Sequence, residues 1–259
     1  MLRGFYTAAS GIISQQTRLN AISNNIANSS TAGYKRDEVT LSTFGEHIAV
    51  RMNTYEQSPL HRQGDGVWMQ VTDEEHTNHE QGGFDFTNSS LDMAVQGEGF
   101  FVVNTQGGER LTRDGQFALD EEGFLVLPGF GRVQGEGGDI QIGTSNFSVS
   151  TNGTIYAQQD IQGVEEPVEI DRLLLAIPED YAAMEKDSGG LFISENYAEI
   201  PAESAATVVR QGATEKSNVN MGNEMTKMIA AQRSLQSASQ IVKMYDSMSE
   251  QGVSSLSRI

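Results

Sequence analysis

Two histidines and several carboxylates lie close together in the stretch 73–80. His76 and His79 could bind a metal ion through their imidazole nitrogens, with neighbouring Asp and Glu side chains as oxygen ligands. A metal site also needs groups that orient its ligands, and this stretch has neither a flanking helical pattern nor a second ligand cluster elsewhere in the chain. We therefore interpret it as a solvated loop and predict no metal site.

Paired carboxylates are the next candidates for chemistry, because two of them can act as general acid and general base in hydrolysis. Asp114, Asp120 and Glu121 could form such a pair. All three fall in predicted hairpin turns, where solvent and local hydrogen bonds to the backbone account for acidic residues. We therefore predict that the chain is not an enzyme. An enzyme or ligand-binding β domain, for example a cell-wall hydrolase, is the alternative hypothesis.

Two glycine pairs could be mistaken for a nucleotide-binding loop. Gly97 and Gly99 are followed by aromatic residues and not by a helix, and Gly129 and Gly131 lack the third glycine at the dinucleotide spacing. These glycines are suited to turning the chain. The sequence therefore predicts no cofactor.

Acidic charge is concentrated in the middle of this 259-residue chain, whose net charge is −18. Residues 1–70 and 213–259 each carry a net charge of +1, whereas residues 71–212 carry six Lys and Arg against 26 Asp and Glu. Nucleic acids and anionic membranes are bound through clustered Lys and Arg, so neither is an expected partner. The near-neutral ends can pack against copies of themselves with little repulsion.

Sequence features that would fix a cellular compartment are few. The chain has no cysteine, so disulfides and thiol chemistry contribute nothing. Polar residues from Ser14 to Arg18 interrupt the N-terminal apolar residues before the core of a secretory signal can form, and no apolar run is long enough to span a bilayer. Any export is therefore expected to proceed without a cleaved signal peptide.

An apolar stripe at alternating spacings of three and four residues predicts an N-terminal helix with a coiled-coil seam. Gln15 is the one polar member of this series. The Asn and Ser residues that follow compete for backbone hydrogen bonds, and Gly33 can adopt a positive φ, so the helix should end between Ile26 and Asn28. The apolar members of the stripe are Phe5, Ala8, Ile12, Leu19, Ile22 and Ile26.

The same spacing returns near the C-terminus. Asn220 is a plausible N-cap and Glu224 lies in the first turn of the helix that follows. We predict that this second stripe pairs with the first, within the subunit or between neighbours, because each is too narrow to stabilise a helix alone. Its members are Met228, Ala231, Leu235, Ala238, Val242 and Tyr245.

Between the helices the pattern changes to short strands and closely spaced turns, which predicts an antiparallel, hairpin-rich β domain. A turn at Asn152-Gly153 suits two positive φ angles, and Phe100, Val102, Phe117, Phe124 and Val126 are expected to form a core. Residues 37–70 have no sustained period and are predicted to be an extended arm with a short helix near 41–50. Strands are expected at 100–103, 110–112, 116–119, 124–127, 147–150, 154–156, 168–177 and 191–193.

Several of these stretches resemble the rod and hook proteins of the bacterial flagellum. Residues 23–28 with 33–36 (SNNIAN and GYKR) are similar to the N-terminal signature of that family, and residues 91–101 (LDMAVQGEGFF) to its central motif. Residues 211–233 are similar to its C-terminal signature. Leu235 and Ala238 depart from it, since the family often has an aromatic residue and Asn at these places. The departures bear on the rod position and not on the family.

The resemblance implies a structural subunit of the basal-body axis that assembles through its terminal helices into a helical tube. It also implies copies of the chain and other rod or hook proteins as partners, and export through the flagellar type III apparatus. The distal rod is the most similar branch, with the proximal rod and the hook as alternatives. The stripes and the motif together give the expected assembly interface: Phe5, Ala8, Ile12, Leu19, Ile22, Asn24, Asn25, Ile26, Asn28, Gly33, Tyr34, Met228, Ala231, Leu235, Ala238, Val242 and Tyr245.

The sequence thus predicts an α+β protein in which a coiled coil of the two ends flanks a central all-β domain. Four segments are expected. Residues 1–36 form the first helix and its turn, 37–70 the arm, 71–212 the β domain and 213–259 the second helix.

Overall fold

The computed structural model describes residues 2–43, 70–143, 146–161, 164–194, 196–200 and 207–256. The chain divides into two compact units. A helical unit contains residues 1–27, 37–76 and 220–259, and a β unit contains residues 28–36 and 77–219. Each unit is therefore assembled from segments that are distant in sequence.

The helical unit contains both long helices, α1 (Leu2–Ala27) and α2 (Met221–Leu256), and a two-stranded sheet of β1 (Asp37–Thr43) and β2 (Gln70–Thr77). The end of α1 confirms the predicted boundary. The start of α2 confirms the predicted cap, since the Asn223 N–H donates to Asn220 Oδ1 at 3.1 Å. Neither helix carries a stretch apolar enough to cross a membrane.

The two helices pack together along the predicted stripes. Leu19, Ile22 and Ala231 form a buried apolar cluster, and Ile26, Met228 and Leu235 pack against it. The stripes therefore meet within one subunit, and the helix pair together with the central sheet gives the predicted α+β class.

The β unit consists of short strands, and the pairings described within it are antiparallel. A short 3-10 turn also occurs at Ser188–Gly190. The strands are β3 (Phe84–Phe86), β4 (Met93–Gln96), β5 (Phe100–Thr105), β6 (Gly108–Thr112), β7 (Ala118–Leu119), β8 (Leu125–Leu127), β9 (Gly131–Gly135), β10 (Gly138–Asp139), β11 (Phe147–Val149), β12 (Thr154–Ile161), β13 (Val164–Arg172), β14 (Leu175–Pro178), β15 (Glu185–Lys186), β16 (Leu191–Ile193), β17 (Tyr197–Glu199), β18 (Val208–Gln211) and β19 (Ala213–Glu215).

The largest sheet has the strand order β15-β16-β6-β5-β9-β8-β7, with β10 paired to β9, and with β14 paired to both β5 and β17. The strands β11, β12 and β13 form a separate three-stranded sheet. The late strands β18 and β19 pair with the early strands β4 and β3, respectively. These last pairings bring the chain that leads into α2 back to the beginning of the unit.

Strand β5 is buried on both faces, which explains its continuous apolar run. Phe101 and Val103 belong to the main core, whereas Phe100 and Val102 belong to a second cluster with Leu111. The predicted single core was therefore wrong in part. In β8 it is Leu125 and Leu127 that enter the main core, while Phe124 and Val126 are only half-buried.

Three other predictions are corrected by the structure. The strand expected at 168–177 is two strands, because the chain leaves β12 after Arg172 and pairs with β5 and β17 from Leu175 onward. Residues 73–77, expected in a loop, lie in β2, and residues 41–43, expected near a short helix, lie in β1. The rest of that expected helix, 44–50, lies outside the described residues.

Candidate assembly site

The seam residues of α1 and α2 are not equally covered. The cluster around Leu19, Ile22 and Ala231 is well covered. The seam residues outside this cluster are half-buried: Ala8, Ile12, Ala238, Val242 and Tyr245. Phe5 is more open, with 36% of its surface exposed, and contacts Tyr6 edge to face. The seam is therefore best covered at the cluster of Leu19, Ile22 and Ala231 and most exposed at Phe5.

A buried amide joins the end of α1 to the first strand of the helical unit. Asn25 is 2% exposed; its Nδ2 donates to the Asp37 carbonyl at 2.8 Å, and its Oδ1 accepts from the Asp37 N–H at 2.9 Å. Both partners are backbone groups, so the side chain reproduces the pairing of a neighbouring strand. The neighbouring Asn24 is exposed. Asn25 therefore acts inside the subunit, whereas Asn24 lies on its surface.

The first turn of α2 carries a buried carboxylate. Glu224 is 2% exposed and accepts from Lys227 Nζ at 2.7 Å. It borders a cavity of about 140 Å³ between α1, β1 and α2, which Arg18 and Asp37 also line. Charges of both signs line this cavity, so the helix pair is polar at this place.

A second apolar face on α2 was missed by the sequence analysis. Met221, Met225 and Ile229 follow each other at spacings of four, and all are substantially exposed. Ile241, Met244 and Met248 form another exposed apolar row further along the helix, at spacings of three and four residues, and Tyr6 and Ile13 are exposed on α1. The spacing of four residues indicates this row, but a prediction of one stripe per helix leaves it out. An exposed apolar row on a helix whose other stripe is already covered is available for another molecule.

The motif residues after α1 lie in the β unit. Gly33 and Tyr34 are buried; the Gly33 N–H donates to the carbonyl of Glu215 at 2.8 Å, and Lys186 Nζ lies 3.9 Å from the centroid of the Tyr34 ring. Asn28 is half-buried, and its carbonyl accepts from the Thr31 N–H at 3.2 Å. The motif therefore attaches the chain to its own β unit.

The two histidines considered as metal ligands, His76 and His79, contact other side chains of the chain. His79 lies among the rings of Phe100, Tyr181 and Phe192, at centroid distances of 5.2 to 6.0 Å. His76 lies 3.8 Å from a carboxylate oxygen of Glu38. In the described parts of the chain, no group of three or more Asp, Glu or His side chains is arranged to hold a metal ion.

The acidic turn residues bind the backbone. Asp120 Oδ1 accepts from the N–H groups of Glu122 and Phe124, and its Oδ2 lies 3.3 Å from Arg132 Nη2. Desolvation alone would raise the pKa of Asp120. The two backbone hydrogen bonds and Arg132 outweigh it, so the pKa of Asp120 is lowered. Burial raises the pKa of Asp114, whose Oδ1 accepts from the Gln116 N–H. Both carboxylates thus have the local turn role that the sequence predicted.

A covered helix seam, an open apolar face and a strand domain with short turns are the features of a structural assembly subunit. Comparisons with known proteins agree. Residues 5–35 match the family described as flagella basal body rod protein, residues 94–157 the flagellar hook protein FlgE/F/G D1 domain, and residues 210–256 the flagellar basal body rod FlgEFG protein C-terminal.

Full-length relatives give the same result. The chain is 31% identical to the flagellar basal-body rod protein FlgF of Caulobacter vibrioides, over 100% of this chain and 98% of the relative. It is also 31% identical to the rod protein FlgG of Buchnera aphidicola subsp. Baizongia pistaciae, over 96% and 97%, and 29% identical to FlgG of Bacillus subtilis, over 95% and 96%. The chain belongs to the flagellar basal-body rod family and is a structural component of the flagellar axis.

Proposed function

We propose that this chain assembles into a helical tube through its terminal helices, with copies of itself and with other axial proteins of the basal body. The observation that carries the proposal is the second apolar face of α2. Met221, Met225 and Ile229 are 42%, 48% and 53% exposed. Full burial of such a side chain contributes roughly 1.5–3 kcal/mol, so closing each of these half-exposed ones contributes about 1 kcal/mol.

The contact between subunits is heterologous in this proposal. The open face of one subunit meets a different surface of the next, so the contact does not close and generates a rod. The β unit faces outward, because most of the net negative charge lies in residues 71–212 and these segments would repel one another near the axis.

The burial of the motif residues divides the expected interface into two groups. Asn25, Gly33 and Tyr34 support the subunit from inside, since their side chains or backbone are covered. Phe5 and Asn24 lie on the surface of the subunit. The buried cluster of the seam then belongs to the inside of the subunit, and we propose the second apolar face of α2 as the contact.

We also propose that the chain has no catalytic role, and that it reaches the basal body through the flagellar type III apparatus without cleavage of a signal peptide. The turn role of Asp114 and Asp120 supports the first statement. A lytic assay on purified peptidoglycan tests it, and the intact mass of the protein from isolated basal bodies tests the second. Peptidoglycan cleavage, or loss of an N-terminal segment, would contradict them.

Within the rod, the distal branch is our working assignment, with the proximal rod and the hook as alternatives. The FlgF of Caulobacter vibrioides and the FlgG of Buchnera aphidicola subsp. Baizongia pistaciae are each 31% identical to this chain, so identity does not favour one of these two proteins. Electron microscopy of basal bodies from a deletion strain tests the assignment. The level at which the axis stops identifies the missing subunit.

The assembly proposal is tested by placing a charge on the open face. Ile229→Asp leaves the covered seam untouched, so the isolated chain should melt at the same temperature as the native chain. Assembly should fail, because a carboxylate buried between subunits costs several kcal/mol unless it is paired. Cells with this variant should export the protein but build no hook or filament.

Two further variants complete the test. Leu235→Asp places the charge inside the covered seam, so both the helix pair and assembly should be lost. Lys243→Asp is the control, since Lys243 is an exposed polar residue that lies 14 residues beyond Ile229 along α2. Normal swimming with Ile229→Asp, or equal damage from Lys243→Asp, would contradict the proposed contact face.

A further inference from the structure

Three charged side chains form a closed cluster inside the β unit. Lys35 Nζ donates to Glu215 Oε1 at 2.7 Å, and Arg113 Nη1 donates to Glu215 Oε2 at 3.3 Å. The side-chain exposures are 1% for Lys35, 5% for Arg113 and 0% for Glu215. Since Gly82 N–H also donates to Oε1, at 2.9 Å, both carboxylate oxygens have partners.

The cluster holds two cations and one carboxylate, which leaves an excess positive charge away from water. Backbone carbonyls take part of it: Glu80 accepts from Lys35 at 2.9 Å, and Gly97 accepts from Arg113 at 2.8 Å. Burial lowers the pKa of both Lys35 and Arg113, and Glu215 opposes that shift. Without the Glu215 charge, two buried cations would face each other with no anion between them.

The two residues before Lys35, Gly33 and Tyr34, also make specific contacts with the β unit. Gly33 has a φ of +66°, and a Cβ atom there would lie 2.3 Å from the Arg113 carbonyl carbon, so only glycine fits. The Tyr34 ring lies under the ammonium of Lys186, which also donates to the Lys35 carbonyl at 2.8 Å. Three consecutive residues are thus recognised by glycine shape, ring contact and charge, as a peptide ligand is in its binding site.

We propose that residues 33–35 are an internal peptide ligand of the β unit and that Glu215 is the positioning residue that holds them. Loss of the Glu215 charge then releases the segment 28–36, while the sheet built on β5 and β6 stays folded. This role is separate from assembly. It is measured on the isolated full-length chain, so its failure and the failure of the assembly proposal are distinguishable.

Hydrogen exchange followed by mass spectrometry tests the proposal. The Gly33 and Arg36 amides report on the segment, because they donate to the Glu215 carbonyl and to Asn218 Oδ1, respectively, and neither acceptor is the Glu215 carboxylate. In Glu215→Gln, exchange in 28–36 should accelerate by about a hundredfold or more, since a buried ion pair loses its anion. Exchange in β5 and β6 should stay as in the native chain.

Lys35→Met keeps the test decisive if Glu215→Gln does not fold. This variant leaves the neutral pair of Arg113 and Glu215 in place, so the unit should fold, and exchange in 28–36 should still accelerate. Lys216→Met is the matched control. Its ammonium is exposed and lies 3.2 Å from Asp85, one residue away from the cluster, and exchange should not change.

Two results would overturn the proposal. One is unchanged exchange in 28–36 for Lys35→Met. The other is an equal loss of protection in β5, β6 and the segment, which would make Glu215 an ordinary core residue and not a holder of this segment.

Discussion

At the residue scale, two buried polar side chains show how such groups hold a segment of this chain in place. Asn25 satisfies the backbone of Asp37, and Glu215 binds Lys35 and Arg113. Such groups are costly if unpaired, so each of them fixes a particular segment in place. The polar positions with the greatest structural weight are therefore inside the subunit, while its proposed contact face is apolar.

A tyrosine in strand β17 gives a pH prediction at the same scale. The pKa of Tyr197 is raised to about 12. Burial is the larger cause, and the hydrogen bond that the phenol donates to Glu109 at 2.7 Å is the next. The folded state then keeps this proton at a pH where the unfolded chain, with an ordinary pKa near 10, has lost it. Its contribution to stability is present below about pH 10 and is lost as the pH rises towards 12.

The measurement is the free energy of unfolding in urea from pH 8 to pH 12, for the native chain and for Tyr197→Phe. The native chain should lose more stability than the variant above pH 10, and the difference should be flat below it. A constant difference across the whole range would show that the phenol titrates alike in both states.

At the element scale, the sequence predicts those helices and strands whose apolar residues follow one clear pattern. The seam of α1 and α2 follows from spacings of three and four residues, and the strand β5 follows from a short continuous apolar run. The second apolar face of α2 was not predicted, because a single stripe was expected on each helix. The positions of Phe124 and Val126 also could not be predicted, since a shift of one residue in a short strand exchanges its two faces.

Turn geometry shows the same limit. The pair Asn152-Gly153 predicted two positive φ angles, yet only Gly153 has one, at +88°. Asn152 uses its Oδ1 to accept from the Thr154 N–H instead, and the Gly153 N–H donates to the Ser150 carbonyl. The loop is one residue longer than a two-residue turn. The dipeptide therefore marks the hairpin without fixing its length.

Close packing of the helices gives a prediction for the element scale. Ala231 is 4% exposed within the cluster of Leu19 and Ile22, and its small side chain lets the helices approach. Ala231→Leu should destabilise the helix pair by roughly 1–3 kcal/mol, because the added atoms have no space. Ala230→Leu is the control at an exposed neighbour and should change the unfolding free energy by less than about 0.5 kcal/mol.

Thermal unfolding followed by circular dichroism at the helical band measures both variants. A lower melting temperature is expected for Ala231→Leu alone. If both variants melt alike, α2 must present a different face to α1.

At the scale of the whole molecule, each unit combines segments that are distant in sequence. The predicted boundaries at 71 and 212 enclose most strands but leave out Lys35 and Glu215, so independent folding of 71–212 stays a proposal. Sequence alone could not place these two residues together, since 180 residues separate them. A contact of this range depends on the complete fold.

The central claim is that the open face of α2 becomes buried when subunits assemble. The chain contains no cysteine, so a single introduced thiol reports on its own position. Ile229→Cys lies on that face, and Glu121→Cys lies in the exposed turn before β8. Labelling with a maleimide is compared between the isolated chain and intact basal bodies. Ile229→Cys should react only in the isolated chain, whereas Glu121→Cys should react in both. Equal reaction of Ile229→Cys in both states would show that this face is not buried on assembly.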